Sequence, residues 1–100
     1  RFASQVSAIE IAIKHSIGKL SLPPPFETNF AHAFRELAHQ LSADILDIDL
    51  VHIAALNQLP LHHRDPFDRL IIAQAVSGNL TVVTRDRTFA DYAGLDIFWI

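Results

Sequence analysis

Two aspartates carry the first hint of chemistry in this chain. Asp68 stands in the segment His-His-Arg-Asp-Pro-Phe-Asp-Arg-Leu-Ile-Ile-Ala-Gln-Ala, residues 62–75, and Asp86 follows 18 positions later at the end of Val-Val-Thr-Arg-Asp. Carboxylates gathered in one place are a negative trap for a hard cation such as Mg²⁺, and a bound cation can in turn meet a phosphate. Whether these two gather depends on what lies between them. Asp65 is a good N-cap and Pro66 suits a first helical position, so the pattern predicts a helix over 66–77, ended by the C-cap signal Gly78-Asn79. Leu80-Thr81-Val82-Val83-Thr84 is apolar and β-branched and reads as a buried strand. The helix covers roughly 18 Å and the strand returns roughly 17 Å. Asp86 is therefore expected back at the edge where Asp68 began, the carboxyl end of a strand, where open α/β sheets place their ligands. Asp68 also has an ordinary reading: in a first helical turn a carboxylate satisfies unpaired N–H groups and the positive end of the dipole.

Glu10 is a third acid in a similar setting. Phe2 to Val6 reads as a strand, and Ser7-Ala8-Ile9-Glu10 has the spacing of a capping box, with Ser7 at the N-cap and Glu10 reaching back to its N–H. That puts Glu10 just after a strand, in the first turn of a helix, at the same predicted edge. Lys14 lies four residues on, an order that stabilises a helix by about 0.2–0.5 kcal/mol. If Glu10 binds a cation, Lys14 orients it or meets phosphate.

The elements that must position these acids alternate along the chain. Gly18 closes the first helix, and Pro23-Pro24-Pro25 makes a stiff extended connection. From Phe26 onward, Phe26, Phe30, Phe34, Leu37 and Leu41 follow helical spacing and predict one amphipathic helix. Ile45 to Ile48 reads as a strand, Asp49 as the cap of a helix over 50–59 that Pro60 ends, Thr88 to Tyr92 as a helical turn and Ile97 to Ile100 as a final strand. Asp47 and Asp49 belong to no motif. The six histidines fall at no zinc-site spacing and read as surface or partly buried residues, with His62-His63 set apart by its place beside Asp68. Strands alternating with helices predict a parallel sheet with helices on both faces, an α/β fold.

Composition narrows the class. One hundred residues, half of them hydrophobic, suit one globular domain. The apolar runs fall short of the roughly 18 residues of a membrane span, and no signal-peptide pattern is present, so the chain reads as soluble, unsecreted and cytoplasmic, with no membrane partner. Without cysteine, a metal must be held by oxygen or imidazole. A formal charge of −3 argues against holding nucleic acid by bulk electrostatics. Four of the eight basic residues, Arg64, Arg69, Arg85 and Arg87, nonetheless flank the two aspartates.

Asp-Pro-Phe-Asp-Arg-Leu-Ile-Ile-Ala-Gln-Ala followed by Val-Val-Thr-Arg-Asp resembles the second half of a PIN domain, specifically of the VapC-type toxins of bacterial toxin–antitoxin pairs. Upstream, Val-Ser-Ala-Ile-Glu-Ile-Ala-Ile-Lys-His-Ser-Ile-Gly-Lys-Leu is similar to the family's segment bearing its second acid. The resemblance spans nearly all of residues 1–100. It implies a three-layer α/β/α PIN-like domain with a parallel sheet. It also implies a Mg²⁺- or Mn²⁺-dependent endoribonuclease in which Glu10, Asp68 and Asp86 are the catalytic, metal-binding acids, with Lys14 and Arg85 candidates to steady the RNA phosphate. A cognate antitoxin as inhibitor, an antitoxin groove built partly by helices such as the one from Phe26, and a homodimer are further expectations. Family members open with an apolar strand ending in aspartate, central in the sheet. Nothing precedes Arg1-Phe2, and the sequence has no methionine, so Arg1 is expected not to be the native start and the first, central strand is expected to be missing from this chain. The alternative reading is a catalytically incompetent PIN fragment that serves as an antitoxin-binding or self-association module. A generic α/β domain with well-capped helices and no site ranks last.

Overall fold

Short strands and helices alternate in the order β1 (Phe2–Ser4), α1 (Gln5–Ser16), α2 (Pro24–Thr28), α3 (Phe30–Gln40), β2 (Asp44–Leu46), α4 (Leu50–Gln58), α5 (Pro66–Gly78), β3 (Thr81–Thr84), a 3-10 helix (Arg87–Asp91) and β4 (Asp96–Trp99). The computed structural model describes residues 1–62, 65–84, 86–92 and 94–99. These elements form two compact units, Arg1–Asp47 and Ile48–Ile100. Each holds one two-stranded sheet, and both pairings are parallel, as the alternation of strand and helix requires. Among the described residues no helix is long and apolar enough to cross a membrane.

In the first unit β1 pairs with β2, Phe2 opposite Asp44 and Ser4 opposite Leu46. The strand is shorter than the sequence suggests, and α1 begins directly after it. Ser4, not Ser7, is the N-cap: its Oγ accepts from the Val6 N–H at 3.0 Å. The helix consequently starts nearly a turn early, which takes Glu10 out of the first turn. At the other end Gly18 sits at φ 77°, its N–H donating to the His15 carbonyl (3.1 Å) and the Lys19 N–H to the Lys14 carbonyl (2.8 Å). That is a Schellman closure, and glycine is needed there for its φ, since open space surrounds its Cα.

Two expectations for the middle of the chain are corrected. Pro24 and Pro25 do not continue an extended spacer but open α2, where a missing N–H and a fixed φ suit the first helical positions. The helix from Phe26 to Leu41 is two helices, because Asn29 leaves helical geometry (φ −152°, ψ 84°) and caps α3, its Oδ1 accepting from the His32 N–H at 3.2 Å. Phe26, Phe30 and Phe34 still form a ring series across the break, with centroids 5.8 and 6.2 Å apart. Ala33, Phe34 and Ala38 are buried, while Leu37 and Leu41 are exposed.

In the second unit α4 packs on α5 and β3 on β4, Thr81 opposite Asp96 and Thr84 opposite Trp99. Asp49 caps α4 in a reciprocal box with His52, whose Nδ1 accepts from the Asp49 N–H at 3.0 Å. His52 is thereby buried, where the sequence suggests a surface or partly buried residue. After α5, Asn79 turns left-handed (φ 53°, ψ 47°) and the Leu80 N–H donates to the Ala75 carbonyl at 2.8 Å, reversing the chain into β3. Ile72, Ala75, Val82, Phe89 and Tyr92 make the core, with Leu59, Leu80, Leu95, Ile97 and Trp99 packed against it. β3 is not a strand buried on both faces: Val82 is buried and Val83 is exposed.

Candidate functional site

The start of α5 is organised by Asp65. Its Oδ1 accepts from the backbone N–H groups of Phe67 (2.9 Å) and Asp68 (3.2 Å), and Pro66 occupies the first helical position. The capping task therefore falls to Asp65. Asp68 sits one turn in, half-buried, with its own N–H already bound to that cap.

Asp86 follows β3 and caps the 3-10 helix. Its Oδ1 accepts from the Thr88 N–H (3.0 Å) and from the Thr88 hydroxyl (2.7 Å), and its own N–H donates to Thr84 Oγ1 at 3.1 Å. Two threonines thus hold both the backbone and the carboxylate of Asp86 in one arrangement. The reversal at Asn79 and the shared packing of Ile72, Ala75 and Val82 set α5 and β3 side by side. The start of α5, bearing Asp68, and the carboxyl end of β3, leading to Asp86, accordingly lie toward one end of this pair.

Glu10 belongs to the first unit. It lies in the second turn of α1, partly buried, with Oε2 accepting from Lys14 Nζ at 2.7 Å. The helical pairing of Glu10 and Lys14 read from the sequence is thus present, while the capping box with Ser7 is not. Among the described residues no three histidine or acidic side chains stand close enough together to hold a metal ion. Arg85, the expected phosphate contact, and Arg64 and His63 beside Asp68 lie outside the described residues. His62 packs edge-on against the ring of Tyr92, with centroids 5.2 Å apart. Arg69 is a structural cation, donating to the carbonyls of Pro60 (2.9 Å) and Leu56 (3.5 Å). A shallow groove lined by Ile53, Leu56, Asn57, Leu61, Pro66 and Arg69 runs beside it and contains no carboxylate.

Sequence reasoning gave Arg87 no role beyond the basic cluster. Its guanidinium lies 4.5 Å from the centre of the Trp99 ring, directly after Asp86. The pairing of β3 with β4 is what joins them, and that register is not written in either residue's neighbourhood.

Comparison with known proteins places this geometry. The PIN domain family matches residues 1–95. Among curated proteins none matches the chain. Solved structures that share its fold include the DNA-bound VapBC of Salmonella typhimurium, at 23% identity and TM-score 0.70, and VapBC2 of Rickettsia felis bound to a DNA fragment from their promoter, at 18% identity and TM-score 0.69. Each match covers 98% of this chain, and 74% and 73% of the respective solved chains. With nearly its whole length matched by the family and its fold shared with these structures, the chain belongs to the PIN domain family.

Proposed function

We propose that this PIN domain is a VapC-type toxin, an endoribonuclease that hydrolyses RNA phosphodiester bonds with Mg²⁺ or Mn²⁺, acts in the cytoplasm and is neutralised by a cognate antitoxin. The observation that carries the reading is the shared end of α5 and β3, where Asp65 caps the helix that carries Asp68 in its first turn and β3 leads into Asp86, held by Thr84 and Thr88. Glu10, Asp68 and Asp86 are the residues that would hold the ion. An all-carboxylate oxygen set, in a chain with no cysteine, is the donor chemistry a hard cation prefers. When bound, the ion supplies a more acidic water and neutralises charge developing on the leaving oxygen. The protein's own part is positioning. Thr88 and Thr84 hold Asp86 in place, Asp65 fixes the helix start that presents Asp68, and Lys14 restrains Glu10 and offers a positive charge for phosphate. Arg85 is the second proposed phosphate contact.

The test is cleavage of a generic RNA by the full-length protein with Mn²⁺ and with chelator. Chelator-sensitive cleavage that disappears in a folded Asp68→Asn variant is expected. Cleavage that survives in that variant would remove Asp68 from the site, and absence of cleavage under all metal conditions would favour the other reading, a PIN module that binds an antitoxin or itself without catalysis.

A specific surface supports self-association. From Leu50 to Leu61 there is no charged residue, and Leu50, Val51, Ile53 and Leu61 are exposed, Leu50 by 78% and Leu61 by 75%. A helix apolar on its outer side calls for cover. A second copy can supply it, because an uncharged face opposed to itself across a two-fold axis meets no like-charge repulsion. The proposed homodimer uses this face of α4.

A further inference from the structure

We infer that Arg87, seated on Trp99, is a phosphate-binding residue for the single-stranded nucleic acid substrate. This rests on the nuclease reading above and adds to it a residue, a positioning partner and a contact. Arg87 is exposed and follows Asp86 immediately, while Trp99 is half-buried and packed against the core of its unit. The strand register sets Trp99 opposite Thr84, the residue whose hydroxyl binds the Asp86 N–H. One local frame therefore holds both Asp86 and the ring on which Arg87 rests.

The chemistry of a stacked guanidinium favours a bound anion. Its central carbon lies over the indole, 4.5 Å from the ring centre, within the range of a cation–π contact, and a guanidinium carries its N–H donors in its own plane. Arg1 and Arg69 spend their donors on backbone carbonyls and Lys14 on Glu10, whereas Arg87 has no hydrogen bond or ion pair with any described residue through its side chain. Stacking also removes rotamer freedom before any ligand arrives, so less ordering entropy opposes binding. A planar fork held still beside a proposed catalytic acid matches the two oxygens of a phosphodiester. In a chain of net charge −3, such a local donor is what would steady RNA that bulk electrostatics does not attract.

Trp99 is the single tryptophan of residues 1–100, and the emission that a Trp99→Phe variant loses is the part assigned to this pair. The experiment titrates full-length, antitoxin-free protein with a short polyuridine oligonucleotide in chelator, following Trp99 emission and, in parallel, filter retention of the RNA. The wild type is expected to bind with a change in emission. Arg87→Gln is expected to bind about tenfold more weakly, in line with loss of a charged hydrogen bond, and to flatten the slope of log affinity against log salt by about 0.7, one phosphate contact on a single strand. Arg87→Lys should keep the slope and recover only part of the affinity, because it restores the charge without the planar fork. A merely structural role would move none of these salt slopes. If the wild type binds RNA and Arg87→Gln, with an unchanged thermal melt, binds it with equal affinity and slope, this inference is overturned while the nuclease reading stands. If the wild type retains no RNA and shows no emission change, both fall.

Discussion

Asp65, Asp68 and Asp86 each stand at or near the start of a helical turn, and hydrogen bonding separates their backbone roles. Asp65 and Asp86 each accept a backbone N–H two residues on, while Asp68 has its own N–H taken by Asp65. The pair in α5 gives a test in which charge and helix position are nearly matched. Asp65→Ala is expected to lower stability by about 0.5–2 kcal/mol through loss of the cap, with metal-dependent cleavage largely kept. Asp68→Asn is expected to leave the urea midpoint nearly unchanged and to abolish cleavage. Denaturation and activity measured on both proteins check the assignment, and the opposite pattern would exchange the two roles.

Among the elements, α4 depends on a cap that is unusual in its chemistry. A capping box ordinarily returns a carboxylate or amide to the N-cap N–H, and here an imidazole does so. Because the Asp49 N–H must donate, His52 Nδ1 is the acceptor and the ring proton resides on Nε2. The side-chain amide of Gln74, on α5, also lies 3.4 Å from that Nδ1, so the box ties the start of α4 to the neighbouring helix. Nitrogen-15 spectra are expected to show the Nε2–H tautomer for His52. His52→Ala should cost about 1–3 kcal/mol, since it removes a cap and a buried hydrogen-bonding side chain together. An Nδ1–H signal for His52 would rule out the box.

At the scale of the molecule, the exposed apolar surface of α4 is the feature a monomer has least reason to keep. Leu50 opens α4, Leu61 follows the extended C-cap Leu59 and Pro60, and both are exposed. Replacing both, Leu50→Glu with Leu61→Glu, places like charges opposite one another in a two-fold contact and is expected to shift sedimentation from dimer to monomer at micromolar concentration. Both positions are exposed, so the thermal midpoint of each unit's fold should move little. A dimer that persists in the double variant would locate self-association elsewhere.

Local elements were legible because their signals are local. Asp65-Pro66 before an apolar run, Asp49 before Leu50, Gly18 and Asn79 after their helices all act through backbone groups within a few residues, and each is found as a cap or terminator. The family was legible for a related reason, since short acid-bearing segments keep their order along the chain. The errors arose where two local solutions compete. Ser4 and Ser7 can each cap a helix, and the strand pairing that ends β1 at Ser4 selects the earlier one, which shifts Glu10 by most of a turn. Asn29 breaks a stripe of phenylalanines whose spacing is helical on both sides, because its side chain offers a new N-cap that a periodicity count does not register. Beyond these, only tertiary structure decided the burial of His52 against Gln74 and the meeting of Arg87 with Trp99. Both rest on contacts between residues more than ten positions apart, and such contacts depend on helix packing and strand register rather than on the preference of either residue.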